Sequence, residues 1–376
     1  MTDTTLTARP PTVGAVVGRL SWLDRFLPVW IVLAGALGLG LGALVPGLPA
    51  ALDRLRVGTV SLPIALGLLL MMYPVLARVK YEELRHIGGA WRLFGVSLLL
   101  NWVIGPILMF ALAWLFLPDR PDYRTGLILV GVARCIAMVL IWNQLAGGSG
   151  EHAAVLVALN SVFQVATYAL YAWLFLAVFP VWLGLGAAQR VSIGFGEIAT
   201  SVLVFLGLPL AAGVLSRIIG VRTRGVAWYD GVAMPRIAPL ALLALLCTIV
   251  VMFALQGREL LARPGDVARI ALPLVVYFAL MFGVAFWWGW RAGFPYEQTT
   301  TLAFTAAGNN FELAIAVAVG IFGLASGEAL AAVVGPLIEV PALVGLVYVA
   351  LWLGQRLTYG RTEARGLADA PTPGGH

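Results

Sequence analysis

Apolar residues run along this chain in long stretches separated by short polar segments. Each stretch is near the roughly 20 residues that a helix needs to cross about 30 Å of hydrocarbon. About ten spans are predicted: 28–45, 59–77, 92–117, 125–145 and 152–179, then 195–216, 236–256, 269–290, 299–323 and 329–352. The expected fold class is an all-α integral membrane protein. No connection between spans is long enough for a soluble domain, so any chemistry takes place inside the helix bundle. The segment Thr2–Gly18 is too polar for a secretory signal, and the tail after Arg361 is rich in Gly, Pro and Ala. Disordered cytoplasmic tails are therefore expected at 1–24 and 355–376, flanking units at 25–181 and 182–354.

Those two units repeat one another. Pro63 with Glu83-Leu84 matches Pro239 with Glu259-Leu260, Tyr123 matches Tyr296, and Ser149-Gly150-Glu151 matches Ser326-Gly327-Glu328, all at shifts of 173 to 177 residues. A unit with an odd number of spans places its second copy in the membrane upside down. Inverted repeats of this kind suit a carrier, whose halves exchange conformations around a site near the midplane.

Composition agrees with the pattern and narrows it. The 376 residues are 61% hydrophobic and only 11% charged, with mean hydropathy +0.95, a balance foreign to a water-soluble globule. With the N-terminus inside, 15 Lys and Arg fall in the tails and even-numbered loops, among them Arg78, Lys80, Arg85, Arg217 and Arg222, against 8 in the opposite set. Both termini are thus expected to be cytoplasmic. The net charge of +6 reflects this topology and contact with anionic lipid; no basic stripe suggests nucleic acid. His86, His152 and His376 fall in loops or tails, and no metal or nucleophile motif argues for an intramembrane enzyme. The absence of an appended signalling domain and the presence of buried charges argue against a sensor or scaffold.

Charges at mid-span require an explanation, since hydrocarbon penalises each by roughly 2.5–3.5 kcal/mol on insertion scales. Arg134 lies beside Cys135 in span four, Glu312 follows Asn309-Asn310 in span nine, and Glu339 lies in span ten. Spans four and nine correspond in the repeat, so Arg134-Cys135 and Gly308-Asn309-Asn310-Phe311-Glu312 are expected to meet as one site. Gly and Asn are poor helix formers, which predicts a break in span nine. Cys135, beside a guanidinium, is a candidate soft-metal ligand, whereas Cys247 has only apolar neighbours and reads as a small hydrophobe. Arg134 either contacts substrate or pairs with Glu312 or Glu339. Glu312 is suited to carry a proton through alternating access, and Glu339 either does likewise or bonds backbone freed by Pro336. Asn160 and Gln164, four apart on one helix face, form a second-tier polar lining with Asn143.

Several strings carry a resemblance that spans Leu20 to Trp352. They include Asn101-Trp102-Val103-Ile104-Gly105-Pro106, Ala133-Arg134-Cys135-Ile136-Ala137-Met138-Val139 with Trp142-Asn143, Asn309-Asn310-Phe311-Glu312-Leu313-Ala314, and Gly335-Pro336-Leu337-Ile338-Glu339-Val340-Pro341. In these the chain resembles the Acr-type arsenite efflux carriers, relatives of the bile-acid sodium symporters. The resemblance implies ten helices with the fourth and ninth crossed and interrupted, outward transport of arsenite and in some members antimonite, and exchange for protons. It implies that Cys135 and Glu312 are required. Gln144, where an acid is expected, and Gly308, where Ser is expected, depart from the pattern. As(III) is soft and prefers thiolate sulfur to oxygen, so Cys135 is the expected ligand, with Asn309, Asn310 and Arg134 bonding the hydroxyls of arsenous acid. No cofactor is expected. The alternative on the same fold is a sodium-coupled importer of a small organic anion, with Asn309, Asn310, Glu312 and Gln164 as oxygen ligands.

Overall fold

The computed structural model describes residues 26–45, 47, 48, 51, 54–57, 60–81, 90–136, 138–185, 194–262, 264–323 and 326–357. The expected tail 1–24, Glu83-Leu84 of the repeat, Arg85, His86 and residues 358–376 lie outside these.

The helices are α1 (Leu27–Leu44), α2 (Leu62–Ala77), α3 (Trp91–Phe116), α4 (Pro121–Val132), α5 (Val139–Leu145), α6 (Gly150–Trp182) and α7 (Phe195–Arg224). Then α8 runs through Val226–Trp228, Tyr229–Ala233 and Met234–Ala262, followed by α9 (Pro264–Arg291), α10 (Tyr296–Ala307), α11 (Phe311–Phe322) and α12 (Gly327–Arg356). Arg56–Val57 (β1) and Val60–Ser61 (β2) pair as a two-residue antiparallel hairpin. That hairpin takes the first residues of predicted span 59–77, so α2 starts at Leu62 with Pro63 in its first turn, where a missing N–H is harmless. At the other end α12 reaches Arg356, two residues into the segment expected to be a tail.

Among the described residues, α3, α6, α7, α9, α12 and the Val226–Leu255 part of α8 are each long and apolar enough to cross a membrane. Val32, Leu66, Leu208, Leu243 and Trp287 are each more than half exposed. A surface this apolar belongs in lipid, and the protein is a multi-pass membrane protein.

Proline shapes the long helices. Pro106, Pro180, Pro209 and Pro235 each stand two residues after a five-residue π turn, at Leu100–Ile104, Leu174–Val178, Leu203–Gly207 and Tyr229–Ala233. A proline has no N–H for the carbonyl four residues back and its ring crowds that carbonyl. The wider turn relieves both problems, and the residue before each proline bonds five residues back: Gly105 to Leu100, Phe179 to Leu174, Leu208 to Leu203 and Met234 to Tyr229. The helices bend at these points without ending.

Two groups of helices result. In the first, α8 lies against α1 and α2, and the C-terminal part of α7 lies against α2. The contact is close because small residues face it: a side chain at Gly38 would begin 2.5 Å from Val250 O. In the second, α3, α4, α6, α9, α10, α11 and α12 pack around the two short segments that interrupt α4–α5 and α10–α11. The N-terminal part of α7 joins the groups by packing on α6 and α11.

An ion network ties the turn before α4 to the start of α9. Arg269 donates to both oxygens of Asp119, with Nη1 to Oδ2 at 3.0 Å. Arg120 stands 3.6 Å from Asp266, which also accepts from Tyr123 Oη at 2.8 Å. The hydrogen bond from Arg269 holds the Asp119 carboxyl below its ordinary value of 3.8. Because that value is lowered on folding, the link stabilises the protein above about pH 4 and is lost as pH falls through the depressed value. A melting series in detergent should show a small advantage of the native chain over Arg269→Gln at pH 6 that vanishes near pH 2. An advantage that persists at low pH would refute the electrostatic origin. The pair is exposed, so the effect stays small.

Candidate functional site

The core of the second helix group is a crossing of two broken helices. Both α4 and α10 are 12 residues long and stop at an extended residue, Ala133 (φ −92°, ψ 119°) and Gly308 (φ −73°, ψ 146°). Beyond them Arg134 and Asn309 form an antiparallel bridge. The Cys135 N–H donates to Gly308 O at 3.3 Å, and the Asn310 N–H donates to Ala133 O at 3.1 Å. Each break thereby satisfies part of the backbone that the other leaves open, as burial demands.

The carbonyls at the end of α4 are capped by side chains from elsewhere. Leu129 O accepts from Tyr168 Oη at 2.9 Å. Val130 O accepts from Asn309 Nδ2 at 2.7 Å, and Gly131 O accepts from Arg134 Nη2. Arg134 is fully buried, and its Nη1 donates to Tyr277 Oη at 2.8 Å. Room for the guanidinium exists because residue 105 is glycine: a Cβ there would stand 2.6 Å from Arg134 Nη1 and 3.0 Å from Tyr277 Oη. Gly105→Ala is expected to displace the guanidinium, costing about 1–3 kcal/mol of overpacking. The check is a drop in melting temperature together with lost transport; an unchanged melt with full transport would contradict the packing.

The helices that follow the breaks reach back to them. Gln164 on α6 accepts from the Arg134 N–H at 3.0 Å and donates through Nε2 to Arg134 O at 2.8 Å. Glu339 on α12 accepts from the Asn309 N–H at 3.4 Å. Asn310 caps α11, its Oδ1 accepting from the Leu313 N–H at 3.1 Å. Cys135 Sγ accepts from the Val139 N–H at 3.3 Å, the first residue of α5. Three buried polar atoms at the crossing have no hydrogen-bond partner: Arg134 Nε, Asn309 Oδ1 and Asn310 Nδ2.

The residues singled out from sequence therefore divide. Arg134, Cys135, Asn309, Asn310, Gln164 and Glu339 meet at the crossing. Glu312 lies in the first turn of α11, half-buried, near enough to Glu339 for their charges to interact. No ion pair joins Arg134 to Glu312 or Glu339, which corrects the expectation that they could pair; the guanidinium is taken up by Gly131 O and Tyr277. Asn143 is drawn away, bonding Ser149 O at 3.1 Å and accepting from Thr301 Oγ1 at 2.8 Å, where it fastens the end of α5 to α10. Asn160 accepts from Trp102 Nε1 at 3.2 Å. Of the two departures, Gln144 is exposed, while a Cβ on Gly308 would stand 2.9 Å from Cys135 Cβ. Cys247 is exposed on α8.

Sequence reasoning missed Tyr277 and Gly105. A signal existed for Tyr277: it follows Trp102 by 175 residues, the same interval that separates Arg134 from Asn309 and Gln164 from Glu339.

Residues 65–263 match the profile of the Sodium Bile acid symporter family. An arsenical-resistance protein Acr3 of Corynebacterium glutamicum is 54% identical over 357 residues, 95% of each chain. An arsenical-resistance protein Acr3 of Alkaliphilus metalliredigens is 30% identical over 341 residues, 88% of this chain and 93% of its own. The chain belongs to this family, as an Acr-type carrier. An uncharacterized transporter of Synechocystis is 35% identical over 351 residues, 88% of this chain and 89% of its own. These relatives are transport proteins, and the carrier is not an enzyme.

Proposed function

We propose that this carrier exports arsenite from the cytoplasm, with antimonite as a second cargo, in exchange for protons. Cys135 binds As(III) reversibly through sulfur. The observation that carries the reading is the company of that thiol: at the same crossing, Asn309 Oδ1 is a buried acceptor and Asn310 Nδ2 a buried donor, neither with a partner. Unpaired buried polar atoms are costly, and the hydroxyls of arsenous acid donate and accept. The orientation of both amides is set, Asn309 by its bond to Val130 O and Asn310 by its cap on α11. A sulfur that ligates arsenic carries more negative charge than a thiol, and the Val139 N–H stands ready to stabilise it. One sulfur gives an affinity low enough to reverse.

Glu312 and Glu339 supply the proton sites. The carrier works as two inverted five-helix units, 25–181 and 182–354, whose exchange of conformations alternately opens the crossing to either side. The recurring interval of 175 residues and the matched helices α4 and α10 favour this reading. It sits in the cell membrane with both termini cytoplasmic, as the distribution of Lys and Arg supports.

Everted membrane vesicles with an acid lumen test this. Arsenite is expected to accumulate inside them, to do so equally with and without sodium, and to stop when the proton gradient is collapsed. Accumulation that requires a sodium gradient would make sodium the exchanged ion in place of the proton; no accumulation would reject arsenite and move the reading to a sodium-coupled importer of a small organic anion.

A further inference from the structure

The crossing is built with near-twofold likeness, and at one point the likeness is broken by a single chemical difference. Gln164 and Glu339 occupy corresponding places. Each lies on the second helix after a break, and each bonds the backbone of a residue 30 positions earlier, Arg134 and Asn309 respectively. The bridge bonds between the breaks use the N–H or C=O of residues 133, 135, 308 and 310. Arg134 and Asn309 are thus the pair whose own N–H and C=O point outward, away from one another. Gln164 meets both outward groups of Arg134, with an acceptor at 3.0 Å and a donor at 2.8 Å. Glu339 takes the outward N–H of Asn309 at 3.4 Å, on the side to which the Asn309 carbonyl also points.

A primary amide carries an acceptor oxygen and a donor nitrogen on one planar carbon. A carboxylic acid carries an acceptor oxygen and a donor O–H in the same arrangement, and a carboxylate carries acceptors only. Protonated Glu339 can therefore clasp the N–H and C=O of Asn309 as Gln164 clasps Arg134. Ionised Glu339 keeps the N–H and sets its second oxygen against the Asn309 carbonyl.

We propose that Glu339 is the residue at which the exchanged proton is read, and that the reader is the Asn309 backbone: proton bound, the second break is clasped on both sides; proton lost to water, it is clasped on one and repelled on the other. This rests on the proton-exchange reading above and assigns Glu339 a positioning role in it. The consequence reaches the cargo directly, because Gly308, one residue away, accepts from the Cys135 N–H and lies against Cys135 Cβ. Gln164, which cannot titrate, holds the first break constant while the second changes.

Other charged groups near Glu339 are few. Glu312 on α11 is close enough for its charge to be felt. Arg134 of the first break is engaged by Gly131 O and by Tyr277 of α9. On α4, Asp122, Tyr123 and Arg124 lie at the end that meets the start of α12, beside Gly327, about 18 Å from Glu339 along the helix. Glu312 is thus the titratable neighbour whose charge Glu339 feels.

The test compares the native chain with Glu339→Gln and Glu339→Leu at matched amounts in everted vesicles. Two readouts are taken: uphill arsenite accumulation driven by an acid lumen, and arsenite-for-arsenite exchange measured with equal pH on both sides, from pH 5.5 to 8.5. For Glu339→Gln, accumulation should fall at least tenfold, and exchange should continue with a rate that varies less with pH than the native chain's. For Glu339→Leu, both should be lost, since leucine clasps nothing. Proton-driven accumulation surviving in Glu339→Gln would overturn the assignment, as would equal exchange in Glu339→Gln and Glu339→Leu. If the native chain transports arsenite with no proton dependence, it is the exchange reading itself that fails.

Discussion

Cys135→Ser is expected to reduce arsenite accumulation in everted vesicles by at least about a hundredfold, equivalent to about 2.8 kcal/mol, with the protein present in the membrane at its normal level. The reasoning separates binding from folding. Serine is close to cysteine in size, and its Oγ accepts a hydrogen bond from the Val139 N–H at least as well as Sγ does. The backbone bond from Cys135 to Gly308 O does not involve the side chain. The fold at the crossing is therefore retained, and what disappears is the soft ligand, for which an alcohol oxygen is a poor substitute. Antimonite transport should fall in parallel, because Sb(III) is soft for the same reason. Full accumulation by Cys135→Ser would remove sulfur from the mechanism and return attention to the oxygen and nitrogen atoms of Asn309 and Asn310.

Gln164→Leu is the second variant expected to have a large effect, and its effect falls on stability as well as transport. The substitution keeps the volume and deletes both bonds to Arg134, leaving a buried N–H and a buried C=O without partners. Each such group costs about 1–3 kcal/mol, although bonds inside membrane bundles average nearer the low end. Arg134 and the extended residue before it, Ala133, then have less to hold them out of a helix. The expected result is a clear fall in the melting temperature of the purified carrier and loss of arsenite uptake by whatever remains folded. Gln164→Glu offers a sharper comparison. It makes the first break resemble the second, so uptake should survive at acid pH and decline as the glutamate ionises. A Gln164→Leu carrier with native melting and native uptake would show that the clasp on Arg134 is dispensable.

Much of this architecture was legible in the residues taken in order. Hydropathy is a local property summed over about twenty positions, so the spans could be placed to within a few residues in most cases. The largest discrepancies arose at ends, as at α8, which starts ten residues before the predicted span because Asp230, Gly231 and Pro235 in its opening stretch lower the average. The break at Gly308–Asn310 was also legible, since Gly and Asn announce their reluctance to continue a helix. The meeting of Arg134-Cys135 with Asn309-Asn310 was expected from the recurring landmarks along the chain, and the bridge between Arg134 and Asn309 brings those residues together.

The break at Ala133–Met138 was of another kind. The residues Ala133, Arg134, Cys135, Ile136, Ala137 and Met138 include no glycine and no proline, and nothing in their local preferences stops a helix. What holds Ala133, Arg134 and Cys135 out of a helix is supplied from afar: Gln164 from 30 residues on, and Gly308 and Asn310 from across the crossing. The fate of Arg134 was decided in the same way. Sequence offered it two acids of opposite charge, and the structure gives it a tyrosine hydroxyl and a carbonyl, in a space that exists because Gly105 has no side chain. By itself the sequence determined the membrane class, the approximate positions of the helices, the break at Gly308–Asn310 and the residues that meet, while the break after Ala133 was expected only through the family resemblance. Tertiary structure alone decided what holds that break open, the partners of Arg134 and the matching of Gln164 with Glu339, because each depends on backbone groups freed in one helix being satisfied by another.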